Sequence, residues 1–285
     1  MPRKLRLEYE GAIYHVMNRG DRKEEIVVDD PDRERFLETL GEACQKTGWQ
    51  IHAFCLMRNH FHCVVETPRA NLSSGMQWFL GTYTARFNRR HKLFGHLFSG
   101  RYKSLIVDGS GDGYLKTVCD YVHLNPARAR LIRIEELLSA YRWSSYAEYL
   151  KPAKQRLEWL RTDRLLGEWG VDPESAVGRR QFEAGMEQRK EQEMSKESGD
   201  WKQLRRGWCW GPNSFREELL EQIGAKKGAQ HHGEELSESD EQKARRMVAG
   251  MMQEAGWKES ELGRRLKGDE KKGRMAARLR AETTM

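Results

Sequence analysis

The sequence predicts an α+β domain of ferredoxin-like βαββαβ order, followed by a mainly helical C-terminal extension. Three observations carry that prediction. Four short segments, at 12–18, 50–57, 60–66 and 104–107, read as strands. Two longer segments, at 31–46 and 71–90, read as helices and fall between those strands in the βαββαβ order. Beyond Tyr146 the composition shifts to charged stretches with helical spacing.

Taken in order, the first strand covers 12–18. The helix at 31–46 is amphipathic, with Pro31 near its first turn and Gly48 just past its end, which is how helices are commonly punctuated. Strands 50–57 and 60–66 are joined by a tight turn. The second helix covers 71–90, and 104–107 belongs to the last strand. This order places strand 60–66 centrally, with the following helix able to lie across the open face of the sheet. That helix covers 113–122, where Leu115, Val118 and Val122 stand at helical spacing. Pro126 disfavours the helical conformation at the residue before it, so the helix should end near Asn125. The expected organisation is a first domain over 1–150, a helical connection and charged linker over 151–240, and a helical tail over 241–285. Such a fold hosts many activities, so function has to be argued from residues.

The most informative residues are Met57-Arg58-Asn59-His60-Phe61-His62-Cys63-Val64-Val65 and, much later, Tyr121-Val122-His123-Leu124-Asn125-Pro126. A strand repeats with period two, so His60, His62 and Val64 share one face and Phe61, Cys63 and Val65 the other. Two imidazoles then stand side by side, and imidazole is a common ligand for divalent metals. Tyr121 and Asn125 lie one helical turn apart. An Asn125 carboxamide oxygen can complete a three-ligand site with His60 and His62, and the Tyr121 hydroxyl can reach a phosphate held there. A tyrosine on such a helix also serves in core packing. Tyr114, two turns before Tyr121 and roughly on the same face, is the second candidate nucleophile.

Lys and Arg number 50 against 43 Asp and Glu, a net charge of +7, and the isoelectric point is about 9.1. That balance suits a polyanion as partner. Arg86, Arg89, Arg90, Lys92, Arg101 and Lys103 follow one another with no acidic residue between Arg86 and Lys103, and Phe87, Phe94, Phe98 and Tyr102 interleave with them. Cations that track phosphates and aromatic faces that stack bases are what a single nucleic-acid strand needs. A buried set of aromatics beneath a solvated charged face gives the same pattern. Cys44, Cys55, Cys63, Cys119 and Cys209 form no Cys-x-x-Cys pair, so reduced thiols in a cytoplasmic protein are expected and zinc is not. Neither the opening Met1-Pro2-Arg3-Lys4-Leu5-Arg6 nor any later run is apolar enough for a signal peptide or a bilayer span, so no membrane association is expected. His15, His52, His91, His96 and His123 are read as packing or surface residues, with His123 pointing away from Tyr121. His231 and His232 fall in a charged linker.

In order along the chain stand Tyr14-His15-Val16-Met17-Asn18-Arg19-Gly20, His60-Phe61-His62, Asn71-Leu72-Ser73 and Gly95-His96-Leu97-Phe98-Ser99-Gly100-Arg101-Tyr102-Lys103. Tyr121 to Pro126 and Trp143-Ser144-Ser145-Tyr146 complete the series. With this series the first ~150 residues, a domain-sized span, resemble the single-tyrosine HUH transposases, and within them the REP-associated tyrosine transposases. The resemblance implies a metal-dependent endonuclease and strand-transferase acting on single-stranded or hairpin DNA through a 5′-phosphotyrosine intermediate. It implies Tyr121 as nucleophile, His60, His62 and Asn125 as ligands, and Mg²⁺ or Mn²⁺ as the cation. One departure stands out: Arg58 occupies a position where this family usually has proline, which leaves both histidines in place. The segments Ala255-Gly256-Trp257 and Arg278-Leu279-Arg280-Ala281-Glu282-Thr283-Thr284-Met285 resemble the start of a helix-turn-helix tail found on some relatives, without the further helix. A simple helical accessory region is the equal alternative.

Three functions are consistent with these residues. They are the phosphotyrosine enzyme, a hairpin-binding module on the same sheet that does not turn over, and a hydrolase that activates water. The active site is either complete within a monomer or shared between two copies that exchange the tyrosine helix.

Overall fold

The strand-forming runs appear in a computed structural model as β1 (Ala12–Arg19), β2 (Gln50–Leu56), β3 (His60–Thr67) and β4 (Lys103–Val107). The structure describes residues 6–195, 201, 204, 207–226, 240–257, 261 and 269–282. The sheet order is β2-β3-β1-β4-β5, where β5 is a two-residue strand, Cys209–Trp210, far along the chain. β1 is antiparallel to both β3 and β4, β2 is antiparallel to β3, and β5 joins β4 in parallel. The first four strands give the expected ferredoxin-like arrangement, and β3 has a neighbour on each side. β5 was not expected, since two residues carry no periodicity.

One face of the sheet packs on helices α1 (Asp30–Thr47) and α2 (Leu72–His91). The α1 start is capped by the Asp29 side chain, which accepts from the Asp32 amide with Pro31 in the first turn, and Gly48 closes the helix at φ +78°. Phe61 from β3 meets Phe36 of α1 at 5.2 Å and Phe79 of α2 at 6.0 Å between ring centroids, so this face is an aromatic core. Gly75 of α2 lets the Trp49 ring approach, because a Cβ there would stand 2.1 Å from Trp49 Cζ2.

The opposite face carries α3 (Tyr114–His123), with Leu115, Val118, Cys119 and Val122 buried. α3 ends at His123, close to the expected stop near Asn125, and what was not expected is the short helix that follows. Leu124 keeps helical angles, and α4 (Asn125–Arg128) follows at once with Pro126 in its first turn. A proline that opens a new helix loses no hydrogen bond it would otherwise make, so the turn continues to Arg128. Beyond it come α5 (Tyr146–Tyr149), α6 (Asp163–Glu168) and α7 (Ala176–Ser195). Phe182 of α7 packs on Tyr149 and Trp169, and His123 packs on Tyr149 at 5.2 Å. The chain around Trp143 and Trp159 runs along β2, pairing Leu56 N with Trp143 O and Ile51 N with Trp159 O, which covers that sheet edge.

Glu8–Trp201 and Trp208–Pro212 form one compact unit, which therefore runs well past residue 150. The second unit comprises Asn213–Met285 together with Met1–Leu7 and Lys202–Gly207. It has helices Asn213–Lys226, Asp240–Ala255 and Glu270–Glu282, and a cluster of Met247, Met251, Met252, Trp257 and Met275. Gly256 follows the second of these helices with φ +68°. The linker residues 227–239 with His231 and His232, and the last residues from Thr283, lie outside the described residues. No helix among the described residues is long and apolar enough to cross a membrane.

Candidate active site

Strand register assembles the site. Cross-strand partners share a face, and β1 sets Met17 opposite His62 and Arg19 opposite His60, while β4 sets Lys103 opposite Met17. His15, His60, His62, Arg19 and Lys103 are thus on the face that α3 covers. The His60 and His62 rings stand 5.2 Å apart at 83°, and His62 stands 5.7 Å from Tyr121, edge to face. His15 stacks on His62 at 5.1 Å and 23° and meets Tyr121 at 5.6 Å. A helix tyrosine and three sheet imidazoles therefore form one cluster.

Tyr121 is buried, with 3 % of its surface exposed. The Arg128 guanidinium lies 4.1 Å over its ring, and the Trp201 ring is 5.3 Å away. Arg128 donates from Nη2 to the Tyr121 carbonyl at 3.2 Å, from Nη1 to Asn125 Oδ1 at 3.4 Å and from Nε to Glu193 Oε1 at 2.8 Å. Glu193 of α7 also accepts from Trp201 Nε1 at 2.9 Å. Asn125 is oriented from both ends, since its Nδ2 donates to the Tyr121 carbonyl at 3.2 Å.

Burial, with Arg19 nearby, lowers His60 to about 4, and burial with Arg128 nearby lowers His15 to about 3. Both rings are therefore neutral at pH 7, the form that ligates metals. His123 is lowered to about 3 by burial and contacts Ser145 Oγ at 2.8 Å, away from the cluster. All five cysteines are free. Burial pushes the Cys63 and Cys119 thiols up, so neither is a ready nucleophile.

The two tyrosine candidates separate clearly. Tyr121 faces His62, whereas Tyr114 packs on Trp210 of β5 at 5.8 Å. The basic residues divide as well. Arg86 holds Glu42 of α1 with two contacts of 2.8 and 2.9 Å, and Arg90 holds Asp29 at 2.6 Å and Asp32 at 2.5 Å, so both tie α2 to the start and body of α1. Arg89, Lys92, Arg101 and Lys103 are exposed. Phe87, Phe98 and Tyr102 are buried, while Phe94 is 98 % exposed. Arg58 is exposed and pairs with Glu25. His52 donates to Glu66 at 2.8 Å and His91 contacts Asp32, both as packing groups, and His96 is exposed. His15, Arg128, Glu193 and Trp201 were missed as site neighbours. The Tyr14-to-Gly20 segment could have drawn attention to His15, but nothing local marks Glu193 or Trp201.

The donor set suits a divalent cation. Asn59 Oδ1 accepts from His60 Nδ1 at 2.8 Å, which leaves the His60 Nε2 lone pair available. His62 Nδ1 is engaged by His15 Nε2 at 2.9 Å. Asn125 Oδ1 has a second lone pair beyond its contact with Arg128. Among the described residues no group of three or more His, Cys, Asp or Glu is placed to hold a metal, this cluster included, so a cation here would depend on two imidazoles and the Asn125 carboxamide.

The sheet thus sets paired histidines facing a helix tyrosine. Residues 8–125 match the family model described as IS200-like transposase. Among solved structures, a REP-associated tyrosine transposase bound to a REP hairpin aligns over 52 % of this chain and 85 % of its own, with 14 % identity and a TM-score of 0.44. A putative transposase from Deinococcus radiodurans R1 aligns over 42 % of this chain and 95 % of its own, with 16 % identity and a TM-score of 0.31. No curated protein matches the chain.

Proposed function

We propose that this protein nicks and rejoins single-stranded or hairpin DNA through a covalent bond to Tyr121. The observation that carries this reading is the position of Tyr121, edge to face with His62 on the histidine face of the sheet. His60, His62 and Asn125 would hold Mg²⁺ or Mn²⁺, with manganese the better match to two nitrogen donors. Such a cation supplies Lewis-acid polarisation of the scissile phosphate. The chain's own residues do the rest. Tyr121 Oη bonds to phosphorus as the 3′ oxygen leaves, the phenol proton is lost and the departing oxygen gains one. One ester replaces another, so the reaction runs backward to rejoin strands. A phenol is a weak nucleophile at neutral pH, with a pKa near 10. Alignment therefore matters, and the Arg128 stack and the Tyr121 carbonyl contacts supply it.

Arg89, Lys92, Arg101 and Lys103 would contact backbone phosphates, and Phe94 would stack on a base. Tyr121 meets the histidines of its own chain, which supports a site complete in one copy. The dispersed free thiols support a cytoplasmic setting. The burial of Tyr121 under Arg128 and Trp201 favours one second reading, a hairpin-binding module that does not turn over.

Incubating the full chain with labelled hairpin-bearing single-stranded DNA and Mn²⁺, followed by a denaturing gel, separates these. A covalent adduct lost in Tyr121→Phe and kept in Tyr114→Phe is expected. Binding without adduct or cleavage would support the second reading. Cleavage without adduct would point instead to activated water.

A further inference from the structure

We propose that Arg19 holds the scissile phosphate, its guanidinium gripping the two non-bridging oxygens of the phosphodiester that Tyr121 attacks. This deepens the reading of the histidine face as a DNA-cleaving site and rests on it. Arg19 ends β1 and is the cross-strand partner of His60, so the two residues share one face of the sheet with their Cα atoms about 5 Å apart. The sequence alone assigns Arg19 no role, because one basic residue in the Tyr14-to-Gly20 segment carries no pattern.

Exposure along the strands gives Arg19 its place. On β1, His15 is wholly buried, Met17 is half-buried and Arg19 is exposed, and on β3, His62 is buried and His60 half-buried. The face that α3 covers therefore opens to solvent at Arg19 and His60, and a single strand approaching Tyr121 from this end meets both. The cross-strand neighbours here are Arg19, Met17, His60, His62 and Lys103, which bring two cations and no carboxylate. Lys103 stands two strands away from His60, whereas Arg19 is on the strand between them. Lys103 thus suits an adjacent phosphate, and Arg19 the one beside the histidines.

The backbone beneath Arg19 is fixed while its charge is uncommitted. Its amide donates to Asn18 Oδ1 at 2.9 Å, its carbonyl accepts from the Ser99 amide at 2.8 Å, and Gly20 bridges to Phe98. Arg58 and Arg128 are paired with Glu25 and Glu193, but among the described residues no ion pair engages Arg19. His60 is lowered to about 4 by burial and then by the Arg19 charge, so the two groups are within electrostatic reach. A planar guanidinium presents paired N–H donors that match two phosphate oxygens, and a charge beside a largely buried cluster is screened less than one on open surface.

The test uses the full chain and a hairpin-bearing single-stranded oligonucleotide in excess chelator, with affinity read by fluorescence anisotropy. The cleaved linkage is first located from the Tyr121 adduct formed with Mn²⁺, and the oligonucleotide is then remade with a neutral methylphosphonate at that linkage or at a neighbour. In wild type the neutral scissile linkage should weaken binding on the order of 10-fold. Arg19→Gln, which keeps much of the stem and loses the charge, should weaken binding of the natural strand by a similar factor. It should also abolish the effect of the neutral scissile linkage while neighbouring linkages keep theirs. Arg19→Lys, which keeps the charge without the fork, should fall between. An equal scissile-linkage effect in wild type and Arg19→Gln would overturn the proposal, as would loss of the effect at a neighbouring linkage instead. Arg19→Gln should not lower the Mn²⁺ affinity of the DNA-free protein, and a fall there would mean that Arg19 acts on His60 rather than on DNA, which also overturns it. Should Arg19→Gln fail to fold, Arg19→Lys carries the comparison: a smaller effect confined to the scissile linkage supports the contact, and an unchanged one overturns it. If wild type forms no adduct with any hairpin, the reading of the site fails and the proposal with it. If the adduct forms and the linkage effects do not depend on Arg19, the proposal alone fails.

Discussion

Arg128 shows how one side chain can organise the proposed nucleophile, Tyr121. It stacks on the Tyr121 ring, bonds the Tyr121 carbonyl and Asn125 Oδ1, and is itself anchored by Glu193 with both partners about nine-tenths covered. Removing one member of a covered ion pair strands the other, at a cost of roughly 3 kcal/mol. Arg128→Leu should therefore destabilise the protein by about that much in urea denaturation. Because the two charges share one contact, Arg128→Leu with Glu193→Leu should cost less than the sum of the single changes. Additive losses would show that the pair is not coupled. At this scale the sequence was informative where residue type itself carries chemistry. His60, His62, Tyr121 and Asn125 could be singled out because imidazole, phenol and carboxamide have few reasons to recur at those spacings. Arg128 could not, since its place comes from a stacking distance, and the Tyr14-to-Gly20 segment that holds His15 does not reveal its 2.9 Å contact across two strands.

Helix α2 and the loop after it carry the basic run, and here the fold divides residues that look alike in the sequence. Arg86 and Arg90 are engaged by carboxylates of α1 and its cap, while Arg89, Lys92, Arg101 and Lys103 are exposed. Arg86→Ala should lower thermal stability and leave DNA affinity close to wild type. Each exposed cation that contacts a phosphate should, when replaced by alanine, weaken binding and reduce the slope of log affinity against log salt by about 1. Fluorescence anisotropy with a hairpin oligonucleotide across salt concentrations measures both. An unchanged slope in the quadruple variant would remove these residues from the interface. Phe94 belongs to the same loop. Lys92 adopts φ +56°, Leu93 N donates to Asn88 O, and Asn88 Nδ2 donates to Gly95 O at 3.0 Å, so the loop holds Phe94 outward. Phe94→Ala should lose about 1–3 kcal/mol of single-strand affinity. No loss would mean that Phe94 meets no base.

Across the whole molecule, Glu66 links the sheet to the chain beyond residue 150. It accepts from His52 on the neighbouring strand at 2.8 Å, and pairs with Arg161 at 3.2 Å and Arg164 at 3.0 Å. Burial alone would raise its carboxyl, and the contacts with His52 and Arg164 outweigh that and hold it down to about 2. A carboxyl lowered in the folded state stabilises the fold fully above its unfolded value of 4.5 and loses that contribution as pH falls toward 2. Equilibrium denaturation from pH 7 to pH 2 should show a loss of up to about 3 kcal/mol from this group. Glu66→Gln should be less stable at pH 7 and show a shallower acid limb. Identical limbs would show that Glu66 does not couple to the fold.

Read by itself, the sequence determined the βαββαβ order, the face shared by His60 and His62, and the turn that joins Tyr121 to Asn125. These are local properties, set by strand and helix periods over a few residues. Tertiary structure decided which tyrosine meets the histidines, which arginines are already paired, and that β5 and α7 from beyond residue 150 complete the sheet and anchor Arg128. Those outcomes depend on contacts between residues tens of positions apart, as from Arg128 to Glu193 or from His15 to His62. Periodicity within a segment specifies the face a side chain takes, and packing between segments specifies what that face meets.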